Sequence, residues 1–295
     1  MRTAIQGIKG SYSDVAARVM LGARCRTLPM ETFNDVFNAV ERGKADRGVI
    51  PIENSLSGSI HQNYDLLLSH RLHIVAETHL RIEHVLMCHP NSSFARVRTV
   101  RSHPQALAQC ARFFSRNRRL HPEPFFDTAG AARFIMESHA LETGAVASAY
   151  AAQLYGLKVL RRNLEDQPNN LTRFLLISRT PWRKQQGASA KCTICFKPAR
   201  NQVGILFRIL GVFALRDIDL LKIESRPDRE TSFEYQFYLD FAGTPGDPRV
   251  ANALSHLREM VREFRLLGVY PDGRSTIGAG TRHRERLRPR GRAGR

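Results

Sequence analysis

Two patterns of hydrophobic spacing divide the chain. Up to about residue 180, short apolar runs that read as strands alternate with segments whose apolar positions recur at helical spacing. Strands are predicted over 3–6, 26–28, 48–51, 72–80, 85–87, 97–101, 145–147, 158–160 and 175–177, and helices over 14–21, 33–42, 60–69 and 127–137. Strand and helix in this alternation mean α/β architecture. Residues 179–190 interrupt it with Pro181, Trp182, Arg183, Lys184, Gln185, Gln186 and Gly187, a polar hinge between two folding units. Beyond it the order becomes strand 191–196, helix 204–215, strand 219–225, strand 234–241, helix 250–261 and strand 264–270. Such a βαββαβ unit is ferredoxin-like, a fold that fixes no activity by itself. The expected division is a first unit at 1–180, a linker at 181–190, a second unit at 191–271 and a tail at 272–295.

Composition changes this picture in three respects. With 295 residues, 42% of them apolar, the chain can bury a large core, and no run of eighteen apolar residues predicts a membrane span. The formal charge of +18 is uneven, because eight arginines against Asp272 and Glu285 give the segment after Pro271 a charge of +6, leaving +12 for the body. A body of that sign suits anionic ligands. The tail is expected to be disordered, and without a recognition fold or aromatic–basic interleaving it predicts no specific nucleic-acid partner. The cysteines (Cys25, Cys88, Cys110, Cys192 and Cys195) are odd in number and scattered, which argues for a reducing compartment. Cys192 and Cys195 have the spacing of a metal or redox pair, but in a strand they point to opposite faces. No metal is expected. The first strand begins almost at Met1 with no charged-then-apolar leader, so a cytoplasmic protein is expected.

Candidate chemistry gathers at strand ends, where open α/β sheets bind ligands. Thr172, Arg173 and Phe174 stand just before the apolar run 175–177, so a hydroxyl, a guanidinium and a ring are expected to face one small substrate. Glu53, Asn54 and Ser55 follow the strand at 48–51. Ser102 is expected as an N-cap with Gln105 at the third helical position, a capping box that also aims free N–H groups at an anion, and Gln109 lies two turns along. Ser13 is the expected cap of the first helix, after glycines that let the backbone approach a ligand; the third glycine of a dinucleotide site is missing. Asp127 and Thr128 open another helix.

Taken in order, Gly10-Ser11-Tyr12-Ser13, Pro51-Ile52-Glu53-Asn54-Ser55, Ser102-His103-Pro104-Gln105-Ala106-Leu107-Ala108-Gln109-Cys110, Asp127-Thr128-Ala129, Thr172-Arg173-Phe174 and Glu224-Ser225-Arg226-Pro227 resemble the motifs of the prephenate dehydratases that carry a C-terminal ACT regulatory domain. The likeness covers nearly all of the chain except the tail. It implies a catalytic region of two α/β lobes like a type 2 periplasmic-binding protein, crossing over near Arg81 and returning after about Tyr155, with the site between the lobes. It also implies decarboxylating dehydration of prephenate without cofactor or metal. Thr172 would donate to the leaving hydroxyl, Arg173 would bind a carboxylate or orient Thr172, and Phe174 would form an apolar wall. Ser11, Glu53, Asn54, Ser55, Ser102, Gln109 and Thr128 would bind substrate. L-Phenylalanine would be the effector, held between paired ACT domains of a homodimer or homotetramer by Asn201, Gly204, Ile205, Leu206, Glu224, Ser225, Arg226 and Pro227. Val203 and Ile205 depart from the proline and alanine common in that loop, which bears on effector affinity. The stretch from Ser57 to Leu68 and the Asp127 motif look equally like plant arogenate dehydratases, so arogenate is the alternative substrate. A non-catalytic amino-acid sensor is the alternative of another class, disfavoured by the intact set Gln109, Thr172, Arg173 and Phe174.

Overall fold

The computed structural model describes residues 1–183, 189–200, 202–228 and 234–273. The arginine-rich tail from residue 274, part of the linker and Asn201 lie outside the described residues. The first lobe runs β1 (Arg2–Gln6), α1 (Tyr12–Leu21), β2 (Arg26–Met30), α2 (Phe33–Glu41), β3 (Arg47–Asn54), β4 (Gly58–Ser59), α3 (His61–Ser69) and β5 (His73–Arg81). The second runs β6 (Val85–Cys88), β7 (Thr99–Ser102), α4 (Pro104–Ala108), α5 (Ala111–Arg116), β8 (His121–Pro124), α6 (Thr128–Glu137), β9 (Thr143–Ala147), α7 (Ala149–Leu154) and β10 (Lys158–Arg161). The chain then returns to the first lobe as β11 (Leu171–Ser178). The return falls after β10, because β10 still pairs with β6, and so lies later than expected near Tyr155. The C-terminal unit is β12 (Ala190–Pro198), α8 (Ile205–Ala214), β13 (Leu220–Pro227), β14 (Tyr235–Ala242), α9 (Pro248–Met260) and β15 (Val261–Pro271), the expected βαββαβ order.

Lobe two has its own sheet, ordered β10-β6-β9-β7-β8. Lobe one and the C-terminal unit share one, ordered β13-β14-β12-β15-β5-β11-β3-β1-β2, with β4 added beside β3. The join is a parallel bridge between Gly268 of β15 and Ile74 of β5. Glycine is required there because a Cβ would collide with the Ile74 backbone. The core crosses the same seam: Leu175, Ile177, Tyr64 and Ile74 of lobe one cluster with Cys195, Tyr238, Leu267 and Tyr270.

β11 is an interior strand of lobe one, between β5 and β3, and is longer than the apolar run that announced it. Phe174 and Leu176 pack with Ile5, Val49 and Ala17 under α1, while Leu175 and Ile177 pack on the opposite face with Phe37 and Leu67 of α2 and α3. Alternation therefore separates the Thr172-Arg173-Phe174 triplet. β3 likewise extends to Asn54, and the ladder to β11 slips between Arg173 and Phe174. This bulge lets Pro51 and Asn54, three apart, face the cleft together, while Ile52 enters the opposite core and Glu53 turns toward Lys222 of β13.

On the C-terminal sheet, Cys192, Ile194, Phe196, Leu239 and Phe241 pack under α8 and α9, whereas Cys195 lies on the other face, as the strand period requires. That other face adds polar contacts to its share of the core across the seam. Arg226 reaches Asp65 of α3 at 3.0 Å, and Ser59 donates to Glu224 at 2.7 Å. The most buried contact is a cluster in which Arg173 meets Glu77 and Asp240, each at 2.7 Å, and Lys191 meets the same two carboxylates at 3.1 and 3.4 Å.

Two consequences are measurable. Gly268→Val should destabilise the protein by about 1–3 kcal/mol or more, because the side chain has nowhere to go but into the main chain of β5; a lowered thermal midpoint by calorimetry checks it. Burial would raise the Asp240 carboxyl, but Arg173, Lys191 and a hydrogen bond from Thr193 outweigh burial and hold it below the ordinary 3.8. A depressed carboxylate contributes its stability in full above the unfolded-state value and loses it as pH falls through the folded one. Between pH 5 and pH 2 (about the span in which a depressed carboxylate titrates) the midpoint should therefore fall more steeply in the wild type than in Asp240→Asn.

Candidate active site

The two lobes enclose a cleft of about 490 Å³. Lobe one lines it with Ser11, Tyr12, Pro51, Asn54, Thr172 and Phe174; lobe two and the crossings add His84, His103, Gln109, Asp127, Thr128 and Asn170. The lobes also touch directly, through a hydrogen bond from Gln105 Nε2 to Ser57 Oγ at 2.6 Å and one from Ser148 Oγ to the Gly10 carbonyl at 2.9 Å. A Cβ on Gly10 would stand 3.3 Å from Ala151 of α7, and its φ is +91°. That glycine thus allows the loop before α1 to meet the second lobe, a need the sequence reading assigned to a ligand.

Polar groups on the cleft floor form one chain whose donors and acceptors can be assigned from its end. Asn54 Oδ1 accepts from the backbone N–H groups of Leu56 and Ser57, each at 3.0 Å, which fixes the amide. Its Nδ2 must then donate, to Asn170 Oδ1 at 2.7 Å and to Thr172 Oγ1 at 2.8 Å. Asn170 in turn donates to Gln109 Oε1 at 3.2 Å, and the same oxygen accepts from His84 Nε2 at 2.9 Å. Neutral His84 therefore carries its proton on Nε2, leaving an unprotonated Nδ1 2.8 Å from the Tyr12 hydroxyl, whose one proton is shared between that nitrogen and the Glu83 carbonyl, also at 2.8 Å. Burial lowers the His84 pKa and raises that of Tyr12 well above its usual value, so both are neutral near pH 7. One consequence matters for chemistry: Thr172 accepts from Asn54, so its own hydroxyl proton is free for the cleft.

Each lobe also presents a helix N-terminus to this space. Ser11 caps α1 by accepting from Asp14 N, and Asp127 caps α6 by accepting from Gly130 N at 2.5 Å. Their free N–H groups and dipoles favour anions from two sides. Among the described lining residues Asp127 is the one carboxylate, and none is lysine or arginine.

The sequence reading placed Ser11, Asn54, Gln109, Thr128, Thr172 and Phe174 in the site, and the structure brings these together. For Arg173 the carboxylate-binding alternative is a correction: the side chain lies on the other face of β11, bound to Glu77 and Asp240, and cannot reach a ligand in the cleft, which leaves the alternative of orienting Thr172. Glu53 is another, paired with Lys222 at 3.0 Å. Ser55 instead ties down the start of β11, donating to the Asn169 carbonyl and accepting from Leu171 N. Ser102 is fully buried and donates to the Val146 carbonyl at 2.5 Å; the cap of α4 is His103, because β7 runs through Ser102. The cap of α1 is Ser11, not Ser13. Tyr12, His84 and Asn170 were missed as site residues. Asn170 carried a signal, standing two residues before Thr172 and so on the same face; His84 carried none.

At the C-terminal unit Gly204 caps α8 in the left-handed conformation (φ +77°), with Ile205 and Leu206 in its first turn. Ser225 and Pro227 share the helix-side face of β13, opposite Phe237 and Tyr235. Glu224 and Arg226, expected at an effector, alternate to the other face and bind Ser59 and Asp65 of lobe one.

Comparison with known proteins agrees with this geometry. Residues 3–181 match the model of the prephenate dehydratase family and residues 199–259 that of the ACT domain. The chain is 44% identical over 285 residues to arogenate dehydratase 2 of Petunia hybrida, covering 92% of this chain and 72% of that protein. Among solved structures it is similar to GqqA, described as a novel type of quorum-quenching acylase, at 39% identity and TM-score 0.83 over 92% of this chain and 98% of that one. Prephenate dehydratase of Arthrobacter aurescens in complex with L-Phe is 26% identical with TM-score 0.83, covering 97% and 99% of the two chains. A two-lobed cleft with a free threonine hydroxyl, fused to a βαββαβ unit, thus belongs with these matches: the chain is a member of the prephenate dehydratase family, carrying a C-terminal ACT domain.

Proposed function

We propose that the protein catalyses the decarboxylating dehydration of prephenate to phenylpyruvate in L-phenylalanine biosynthesis, with Thr172 as hydrogen-bond donor to the departing hydroxyl. The observation that carries this is the orientation of Thr172, whose oxygen accepts from Asn54 and whose proton is unspent. In the reaction the bond from the ring to its carboxylate breaks and its electron pair becomes a ring π bond. The C–O bond across the ring breaks in turn, and its oxygen leaves as water after taking one proton, which solvent then restores. Prephenate dianion and a proton thus become phenylpyruvate anion, carbon dioxide and water. Aromatisation supplies the driving force, so the protein need only hold two carboxylates and one hydroxyl in line.

The N-termini of α1 and α6 offer one anion site on each lobe, with Ser11 and Thr128 beside them. Phe174 and Ile82 provide an apolar wall that excludes water from the developing ring. Hydrolysis of an acyl substrate, the activity in GqqA's description, would need a hydroxyl deprotonated by a base. Thr172 instead receives a hydrogen bond from an amide.

Arogenate is the second reading, and Asp127 favours it. Arogenate carries an ammonium where prephenate has a keto oxygen, and the cleft offers a carboxylate with no lysine or arginine among its described lining residues. The Petunia relative bears that activity in its name.

L-Phenylalanine as effector is part of the same proposal, supported by the ACT domain and by the L-Phe complex of the Arthrobacter relative. A pair of ACT domains would hold it near Gly204, Ile205, Leu206, Ser225 and Pro227. β13 ends the shared sheet, and Val203, Phe207 and Leu215 expose apolar side chains at or on α8, an arrangement suited to a second copy in a homodimer or larger homo-oligomer. Five free cysteines, four of them buried, support a reducing, cytoplasmic setting.

Thr172→Val keeps the shape of the side chain and deletes the donor. It should lower kcat by about 10²–10⁴-fold with an unchanged circular dichroism spectrum, whereas Thr172→Ser should stay within about tenfold of wild type. Near-normal turnover in the valine variant would remove Thr172 from the mechanism. Substrate choice is read from kcat/KM for prephenate and arogenate in Asp127→Asn: an arogenate enzyme should lose about tenfold or more on arogenate alone, the order of one ion-pair interaction. Equal losses on both substrates would leave prephenate as the reading.

A further inference from the structure

The residue beside Thr172 has no role in the cleft, yet it is held more elaborately than any other side chain near it. Arg173 Nε donates to Glu77 Oε2 at 2.7 Å, Nη1 lies 2.7 Å from Asp240 Oδ2, and Nη2 donates to the Tyr270 hydroxyl at 3.0 Å. Glu77 sits on β5 of the same lobe; Asp240 and Tyr270 belong to β14 and β15 of the ACT domain. Lys191 of β12 closes the cluster onto both carboxylates, and Thr193 bonds both Asp240 Oδ1 and the Tyr270 hydroxyl at 2.6 Å. Two cations face two carboxylates in a site where every member is buried, so formal charge is balanced; from outside the cluster, Gly273 N also donates to Glu77 Oε1 at 3.1 Å.

Buried ion clusters of this kind are weak sources of stability and strong constraints on geometry, because a small displacement strands a charge away from water. Two elements of the ACT domain, β14 and β15, thereby grip one side chain of β11, while β12 holds their groups in place. Adjacent Cα atoms are about 3.8 Å apart across a stiff trans peptide, so the position of the guanidinium fixes the backbone from which the Thr172 hydroxyl projects on the opposite face. The Asn54–Thr172 hydrogen bond of 2.8 Å is the first contact in the cleft that such a shift would alter.

We infer that Arg173 is a positioning residue for Thr172, and that the Arg173–Glu77–Lys191–Asp240 cluster is the physical link through which the state of the ACT domain reaches the catalytic hydroxyl. The regulatory half of this inference rests on L-phenylalanine being the effector; the positioning half does not. The link is local and two-sided: β12, β14 and β15 move the cations and carboxylates, and the cluster moves β11.

The test severs the ACT side without leaving a net buried charge. Lys191→Met with Asp240→Asn removes one cation and one anion and leaves Arg173 paired with Glu77. Tyr270→Phe, which deletes one hydroxyl, serves as the milder variant should the double one fail to fold. Both are measured in the wild-type and the Thr172→Ala backgrounds, in the full-length protein, with the better of the two substrates. The expected result is a fall in kcat of about tenfold or more for the double variant and about threefold for Tyr270→Phe, with KM within twofold, and little further loss when Thr172 is already alanine. Equal losses in the two backgrounds, or none in the wild-type background, would overturn the positioning role. L-Phenylalanine binding is followed separately by calorimetry. The double variant should bind it while its turnover no longer responds; a retained response would overturn the link. A wild-type enzyme that neither binds nor responds to L-phenylalanine would refute the effector reading alone, and the double-mutant comparison would still decide the role of Arg173.

Discussion

The two-residue period of one interior strand governs this molecule. Because β11 alternates, Thr172 opens into the cleft while Arg173 opens into the junction with the ACT domain, from neighbouring positions on one stiff backbone. A helix or a loop carrying the same three residues would have had no such obligation. Within the sheet, whatever fixes the domain junction also fixes the site, and the shared ten-stranded sheet carries this coupling from β13 through to β2. The glycine at 268 matters for the same reason, since only a residue without a side chain lets β15 lie against β5.

In the cleft a weakly acidic alcohol receives a hydrogen bond from an amide, which leaves its own proton out of that contact. The chain from Asn54 through Asn170, Gln109 and His84 to Tyr12 begins on two backbone N–H groups that cannot reorient. Each successive amide and the imidazole therefore has one assignment, and the chain makes no use of the Thr172 proton. Rotational freedom removed before the substrate arrives need not be removed in the transition state, which is where electrostatic preorganisation contributes. The absence of lysine and arginine among the described lining residues fits the same economy: helix N-termini supply partial positive charge without the strong ground-state attraction of a full cation.

The face of the ACT sheet that meets lobe one combines the apolar contacts of Cys195, Tyr238, Leu267 and Tyr270 with polar ones, whereas its face under α8 and α9 packs an apolar core. Arg226 with Asp65, Glu224 with Ser59, Lys222 with Glu53 and the Arg173 cluster make this junction a set of directional contacts. An apolar junction of equal area would hold more tightly but would tolerate many registers. Charged contacts favour one, and they can exchange one arrangement for another when a ligand alters the balance.

Most of the order of elements was legible from the sequence, because alternating apolar runs and helical spacing are local properties; β4, α5, β8 and α7, all short, were not predicted, whereas all the strands predicted for the βαββαβ unit are present within a few residues of their expected ends. The resemblance carried by the ordered motifs likewise gave Ser11, Asn54, Gln109, Thr128, Thr172 and Phe174, which the structure brings to one cleft. What the sequence left undetermined was which side of a strand each residue faces and where strands end. β3 and β11 both run on past their apolar cores, which turned Glu53 and Arg173 away from the cleft, and β7 runs through Ser102, which buried that hydroxyl against Val146. The bulge opposite Arg173, the fusion of two sheets at Gly268 and the placing of His84 between Tyr12 and Gln109 join residues far apart in the chain. Propensity and spacing act over a few positions, so they set the elements and the chemical repertoire. Pairing register depends on which strand lies alongside, and that was decided only when the tertiary structure closed.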